Sequence, residues 1–150
     1  MLNRIAATTL AIALGLAALP ATAADTPGVT ATEIKIGQNA PFSGPASVYG
    51  QISTAESHYF QMINDQGGVN GRKINLIALD DAYSPPKAIE VVRKLVEDEQ
   101  VAILFQTLGT ASNVAIRKYV NSKKIPDIWI GSGASVFANS MKEFPWTIQF

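Results

Sequence analysis

The stretch VAILFQTLGTASN, residues 101–113, decides the fold class of this chain. Residues 101–105 are apolar without alternation, which is typical of a strand covered by helices on both faces. A loop of small and hydroxyl-bearing residues follows, and apolar residues return at helical spacing from Thr110. This order of strand, loop and helix predicts a unit of parallel α/β sheet, with residues 101–105 at the centre of the sheet.

Similar units lie on both sides of this stretch. Residues 33–38 and 73–80 have strand composition, and a helical pattern follows each of them. The first of these helices is indicated by a stripe of apolar and small residues, expected to be buried: Ile52, Ala55, Tyr59, Met62 and Ile63. Residues 128–130 and 146–150 predict two further strands. The order βαβαβαβ followed by a last β predicts a doubly wound parallel sheet with right-handed crossovers.

The N-terminal segment has the pattern of a secretion signal. Residues 1–23 contain Arg4 as their only charge, an apolar run over residues 5–19, and then the small-x-small pattern Ala21-Thr22-Ala23 that signal peptidase accepts. The apolar run is short and poorly flanked for a membrane span. We therefore expect residues 1–23 to be removed, and residues 24–150 to form one exported lobe.

Charge and cysteine content exclude several classes of function. The chain has 12 basic and 12 acidic residues, so loss of Arg4 leaves a net charge of about −1. This balance provides no basic surface for nucleic acid or anionic lipid. The absence of cysteine excludes disulfides, thiolate metal sites and a lipidated cysteine anchor. The composition favours a soluble periplasmic protein.

Three uncharged loops form the predicted site. Ligands of open parallel sheets bind beyond the carboxyl ends of the strands, and residues 41–50, 106–113 and 131–135 are expected to meet there. These loops are rich in hydroxyls and glycine, and Thr110 and Ser112 stand at a predicted helix N-terminus, which favours a carboxylate. Ser, Thr and Gly are also common in caps and turns, so this alternative interpretation of each loop stays open.

Catalytic motifs are not found. The sequence Gly131-Ser132-Gly133 starts like a dinucleotide fingerprint, but Val136 stands where the third glycine belongs. Asp80-Asp81 could hold a metal or accept a phosphoryl group, yet a solvated turn with a helix-capping role fits better. His58 is expected to be a partly exposed helix residue. We therefore predict no catalytic residue, no metal and no cofactor.

Several motifs along the chain resemble one known family. They are GVT at 28–30, EIKIG at 33–37, SGP at 43–45, Tyr49-Gly50, IN at 63–64, GGVNGR at 67–72, Asp80-Asp81 and Pro85. Together they resemble the periplasmic leucine/isoleucine/valine-binding proteins, the type I solute receptors of branched-chain amino-acid ABC transporters. The resemblance covers residues 29–150 and implies the first lobe of the two-lobe type I fold.

The resemblance also implies roles for individual residues. The Thr110 hydroxyl and the Ser135 backbone N–H would donate to a ligand carboxylate, and the Gly133 carbonyl and Ser135 hydroxyl would face an ammonium group. The residues that would line the cleft around them are Tyr49, Leu108 and Ala134. Some members of the family have a disulfide where this chain has Tyr83 and Gly109, so Tyr83 is expected to enter the cleft instead.

The resemblance implies a second lobe and a membrane permease as partners of this lobe. Residues 24–150 correspond to the N-terminal ligand-binding lobe alone, so we expect the chain to be a fragment or a truncated form that binds its ligand weakly. The leading hypothesis is an exported solute-binding protein for a small amino acid or a related carboxylate or amide. The alternatives are a ligand-sensing module of the same fold and, with less support, an exported α/β enzyme.

The signal sequence gives a first prediction. Mass spectrometry of the exported protein should find an N-terminus at Ala24 or within a residue or two of it, because Ala21 and Ala23 occupy the small-residue positions. Recovery of the chain from the periplasm with Met1 intact would contradict cleavage at this site.

Overall fold

The computed structural model of the protein describes residues 26–149. The predicted signal peptide, residues 1–23, lies outside the described residues, as does Phe150. The elements, in chain order, are β1 (Glu33–Ala40), a 3-10 turn (Ser47–Tyr49), α1 (Gly50–Asp65), β2 (Lys73–Asp80), α2 (Pro85–Arg93) with a π-helical turn (Lys94–Asp98), β3 (Ile103–Phe105), α3 (Thr110–Lys123), β4 (Asp127–Ile130) and β5 (Thr147–Gln149). No helix among the described residues is long and apolar enough to cross a bilayer.

The five strands form one sheet in the order β2-β1-β3-β4-β5, and all neighbouring pairs are parallel. The strand at residues 101–105 was predicted to be central, and β3 is the middle strand of the five. From β1 the chain adds β2 on one side, and it then continues with β3, β4 and β5 on the other side, so the strand order reverses between β1 and β3. The carboxyl ends of β1 and β3 therefore flank the point at which a doubly wound sheet binds its ligand.

One face of the sheet is covered by α2 and α3, which enclose the hydrophobic core. Leu104 of β3 is fully buried there. The residues buried with it are Ala88, Val92, Leu95, Val101, Ile116 and Val120. On the opposite face, the ring of Phe105 packs edge-on against Phe60 of α1, with 5.6 Å between ring centroids. As predicted, β3 has helices on both of its faces.

The apolar stripe predicted for α1 does not face the sheet. Ile52, Ala55, Tyr59 and Met62 are exposed, Tyr59 to 57% and Met62 to 44%. The expectation that this stripe is buried was therefore wrong. The single histidine, His58, is also exposed on this helix.

A polar contact explains the orientation of α1. Gln38 of β1 is buried on the side facing α1, and its Nε2 donates to Glu56 at 2.6 Å. The Ser53 hydroxyl donates to Gln38 Oε1. Burial raises the pKa of Glu56, and the hydrogen bond from Gln38 partly offsets this. Because a buried amide without partners is costly, α1 turns its polar residues toward the sheet at this point.

A second buried polar group lies at the start of β4. Asp127 is fully buried; its Oδ1 accepts a hydrogen bond from Thr107 at 2.9 Å, and its Oδ2 has no partner. Burial raises the pKa of Asp127 to about 7, although the Thr107 hydroxyl acts in the opposite direction. The folded protein therefore holds a proton on Asp127 that the unfolded chain releases near pH 3.8.

This burial predicts a pH-dependent stability. Because the folded state binds the extra proton, the free energy of unfolding should fall as pH rises from about 4 to about 7, by at most ~1.4 kcal/mol per pH unit. Asp127→Asn should flatten this dependence in urea unfolding at pH 5 and pH 8. Asp98→Asn, which changes an exposed carboxylate, is the control and should keep the wild-type slope. An equal slope in wild type and Asp127→Asn would contradict the assignment.

Candidate ligand-binding site

A cavity of about 300 Å³ opens beyond the carboxyl ends of β1 and β3. Its volume lies at the lower end of the range for small-molecule pockets, ~300–1,000 Å³. Its lining residues are Tyr49, Ile52, Tyr83, Gln106, Leu108, Gly109, Thr110, Gly131, Ser132 and Gly133. They come from the loops after β1, β2, β3 and β4 and from the first turns of α1 and α3, which the parallel sheet brings to one edge.

The N-terminus of α3 forms one wall of this cavity. The helix begins at Thr110, and its first internal bond runs from the Asn113 N–H to the Gly109 carbonyl at 2.9 Å. The preceding backbone N–H groups have no partner within a helix and point outward from its positive end. The Thr110 and Ser132 hydroxyl oxygens are 2.7 Å apart, so two loops present hydroxyls together at this end.

The lining contains no charged side chain. Its polar groups are hydroxyls, one amide and backbone, and its apolar groups are Ile52, Leu108 and two tyrosine rings. No cluster of three or more potential metal ligands occurs within residues 26–149. Such a surface can orient a small anionic or zwitterionic molecule through hydrogen bonds, and it supplies no nucleophile with an adjacent base.

The structure brings most of the predicted site residues to this cavity. Tyr49, Tyr83, Leu108, Thr110 and Gly133 all line it. Ala134 and Ser135 do not line it.

Both of these residues belong to the turn that follows the Gly133 wall. The Ala134 N–H donates to the Ser132 hydroxyl at 3.2 Å, and the exposed Ser135 starts the next turn, with its carbonyl accepting from the Ala138 N–H. They are next to the cavity in sequence, and their roles in binding stay predictions.

Comparison with known proteins agrees with a ligand-binding site at this edge of the sheet. The family described as periplasmic binding protein matches residues 33–150, which includes every loop of the site. The chain belongs to this family. A Leu/Ile/Val-binding protein homolog 7 from Brucella suis is 36% identical over 124 residues, which cover 82% of this chain and 30% of that relative. The resemblance drawn from the sequence motifs is confirmed.

Solved structures of periplasmic binding proteins show the same lobe. A substrate-binding periplasmic protein from Ralstonia solanacearum superimposes with a TM-score of 0.70 and 28% identity, over 79% of this chain and 33% of that one. A fatty acid ABC transporter substrate-binding protein from Thermomonospora curvata gives a TM-score of 0.61 and 29% identity, over 68% and 26%. The chain thus spans about a third of the length of these relatives or less.

Five lining residues were not among the individually predicted site residues: Ile52, Gln106, Gly109, Gly131 and Ser132. Ile52 was assigned to the buried stripe of α1, although its position beside Tyr49 places it at the cavity. Gln106 belongs to the hydroxyl-rich loop at residues 106–113, but it was not singled out as a site residue. Its backbone has φ of 52°, and its Oε1 is buried without a hydrogen-bond partner. Glutamine rarely has a positive φ, so the sequence carries no sign of this conformation.

The environment of Asp81 differs from the one predicted from the sequence. Asp81 was expected in a solvated turn, but its side chain is 0% exposed. Its Oδ2 accepts from Asn39 Nδ2 at 2.8 Å and from the Ser112 hydroxyl at 3.2 Å, and its Oδ1 accepts from the Tyr83 N–H at 2.9 Å. Ser112, predicted to stand at the ligand-binding helix end, turns its hydroxyl inward to this carboxylate. Asp81 therefore connects β1, α3 and the loop carrying Tyr83.

Asp80 has a different environment from its neighbour. Its carboxylate accepts from the Ser43 hydroxyl at 2.5 Å, from the N–H groups of Ser43 and Ala82, and from Lys87 at 3.3 Å. The Ser43 hydroxyl, followed by these other donors, holds the pKa of Asp80 well below its usual range. Asp80 thus fixes the loop after β1 to the loop after β2, and both loops contribute a wall of the cavity.

The Asp81 contacts predict a stability cost. Asp81→Ala would leave two buried donors and one partly buried donor without their acceptor, so the free energy of unfolding should fall by at least ~2 kcal/mol. Asp98→Ala, at an exposed position, should change it by less than ~0.5 kcal/mol. Urea unfolding at pH 7 measures both, and equal losses in the two variants would show that the Asp81 network adds nothing.

Proposed function

We propose that the chain is the ligand-binding lobe of an exported solute receptor, which captures a small carboxylate for an ABC transporter and performs no catalysis. The observation that carries this proposal is the uncharged cavity at the N-terminus of α3, where backbone N–H groups and the Thr110 and Ser132 hydroxyls converge. A helix end of this kind stabilises an anion without a basic side chain.

The relatives support a carboxylate as the common chemical group. The Brucella suis relative is named for leucine, isoleucine and valine, and the Thermomonospora curvata structure is named for fatty acids. Amino acids and fatty acids differ in size and polarity, but each carries a carboxylate. A receptor that holds this group by backbone and hydroxyl donors can vary its other wall to select the rest of the molecule.

The resemblance to the family suggests roles for individual residues. The Thr110 hydroxyl and the Ser135 N–H donate to the ligand carboxylate, while the Gly133 carbonyl and the Ser135 hydroxyl face an ammonium group. Leu108 and Ala134 supply apolar contacts near the ligand backbone. Of these residues, Thr110, Gly133 and Leu108 line the cavity, which supports their part of the assignment directly.

The setting of the receptor is part of the proposal. Cleavage after Ala23 would deliver residues 24–150 to the periplasm, and the family to which the chain belongs is one of periplasmic proteins. The relatives are about three times as long as the matched region, and a second lobe in that additional length would close over the cavity. A membrane permease would then receive the ligand from the two lobes.

Removal of one hydroxyl tests the carboxylate site. In the mature chain, Thr110→Ala should weaken the binding of leucine by ~1.5–3 kcal/mol, which is the range for a hydrogen bond to a charged group. This corresponds to a loss of about 10- to 150-fold. Two-dimensional NMR titration at millimolar leucine measures such weak binding, and Thr110→Ser, which retains the hydroxyl, should bind like wild type.

A matched control and a matched ligand complete this test. Ser122→Ala removes a hydroxyl at the opposite end of α3 and should leave the affinity unchanged. Leucinol, in which a hydroxymethyl group replaces the carboxylate, should bind at least tenfold more weakly than leucine. If Thr110→Ala and wild type bind leucine equally, or if leucinol matches leucine, the carboxylate does not lie at this helix end.

A further inference from the structure

Tyr83 has an unusual position beside the predicted carboxylate site. It follows β2 with φ of 58°, directly after Ala82 with φ of 50°, so two consecutive residues with a Cβ have the left-handed conformation. Its ring lies against Gly109, the residue before α3. A Cβ at position 109 would lie only 2.8 Å from Cε2 of that ring. The ring can therefore approach the helix N-terminus this closely only because residue 109 is glycine.

Hydrogen bonds from two carboxylates hold this conformation. Asp80 Oδ1 accepts the N–H of Ala82 and Asp81 Oδ1 accepts the N–H of Tyr83, each at 2.9 Å. Asp81 is itself fully buried and bonded to β1 and α3. Left-handed conformations of residues with a Cβ are unfavourable and persist where surrounding contacts impose them. The strained turn is thus fixed to the rigid part of the lobe.

Two tyrosine side chains that line the cavity are partly exposed. Tyr83 is 40% exposed and Tyr49, which comes from the loop after β1, is 53% exposed. The ring pairs found within residues 26–149 join Tyr59, Phe60, Phe105 and Trp129, and neither cavity tyrosine belongs to them. Both rings therefore have area available to a ligand in a cavity of about 300 Å³.

We propose that Tyr83 determines the class of ligand, favouring a small carboxylate that carries a planar ring over one with a branched aliphatic group. This proposal rests on the function proposed above, because the carboxylate at Thr110 would place the ligand side chain beside Gly109 and the Tyr83 ring. An aromatic group can stack on a fixed ring with little loss of conformational entropy, since the strained turn already holds that ring in place. An aliphatic group gains only the burial of its surface.

Two amino acids that have a planar aromatic ring or a saturated ring of the same carbon number test this effect. Phenylalanine and cyclohexylalanine share the carboxylate, the ammonium group and a six-membered carbon ring. In NMR titrations of the mature wild-type chain, phenylalanine should bind more tightly than cyclohexylalanine by about 2- to 12-fold, the equivalent of ~0.5–1.5 kcal/mol for an aromatic pair. Tyr83→Phe should keep this preference, and Tyr83→Leu should reduce the ratio to about one.

Another tyrosine provides the matched control. Tyr59 is exposed on α1 and does not line the cavity, so Tyr59→Leu should keep the wild-type ratio. Leucine is titrated with each variant to report on carboxylate binding in the absence of an aromatic ring on the ligand, and circular dichroism confirms folding. If wild type binds cyclohexylalanine as tightly as phenylalanine, or if Tyr83→Leu retains the preference, the role of Tyr83 is overturned while carboxylate binding stands. If none of the three amino acids binds wild type, the proposed function fails, and the role of Tyr83 fails with it.

Discussion

The buried carboxylate of Asp81 is the contact on which the geometry of the cavity depends. Asn39 reaches it from the end of β1, Ser112 from the first turn of α3, and the Tyr83 N–H from its own loop. Each of these groups would be an unpaired donor without it. The three walls built from these elements therefore keep fixed relative positions, and the helix end at Thr110 stays beside the Tyr83 ring.

The parallel sheet determines why the polar loops are adjacent at all. Strand order reverses between β1 and β3, so the loops that follow these strands diverge to opposite sides and leave a crevice between them. Gly109 and Gly131 line this crevice and bring main chain to its surface. The lining of this crevice contains no charged side chain, which is compatible with the solute binding proposed above.

Much of the fold was predictable because local patterns and the burial of the sheet agree. The uninterrupted apolar run at residues 101–105 indicated a strand with covered faces, and β3 is central with helices on both sides. The neutral loops at its end and after β4 indicated the site, and Thr110 and Gly133 line the cavity. Tyr83 entered the list of site residues only through the family resemblance, because loop composition does not show which side chain turns inward.

The sequence by itself determined the order of strands and helices, the parallel sheet and the edge at which its polar loops meet, since these depend on periodicity and on residues close together in the chain. Tertiary structure alone decided which face of α1 meets the sheet and where Asp81 lies. In both cases a buried polar group on another element, Gln38 or Asn39, needed a partner. An unpaired polar group in the interior is costly, and the identity of its partner depends on contacts between residues far apart in sequence.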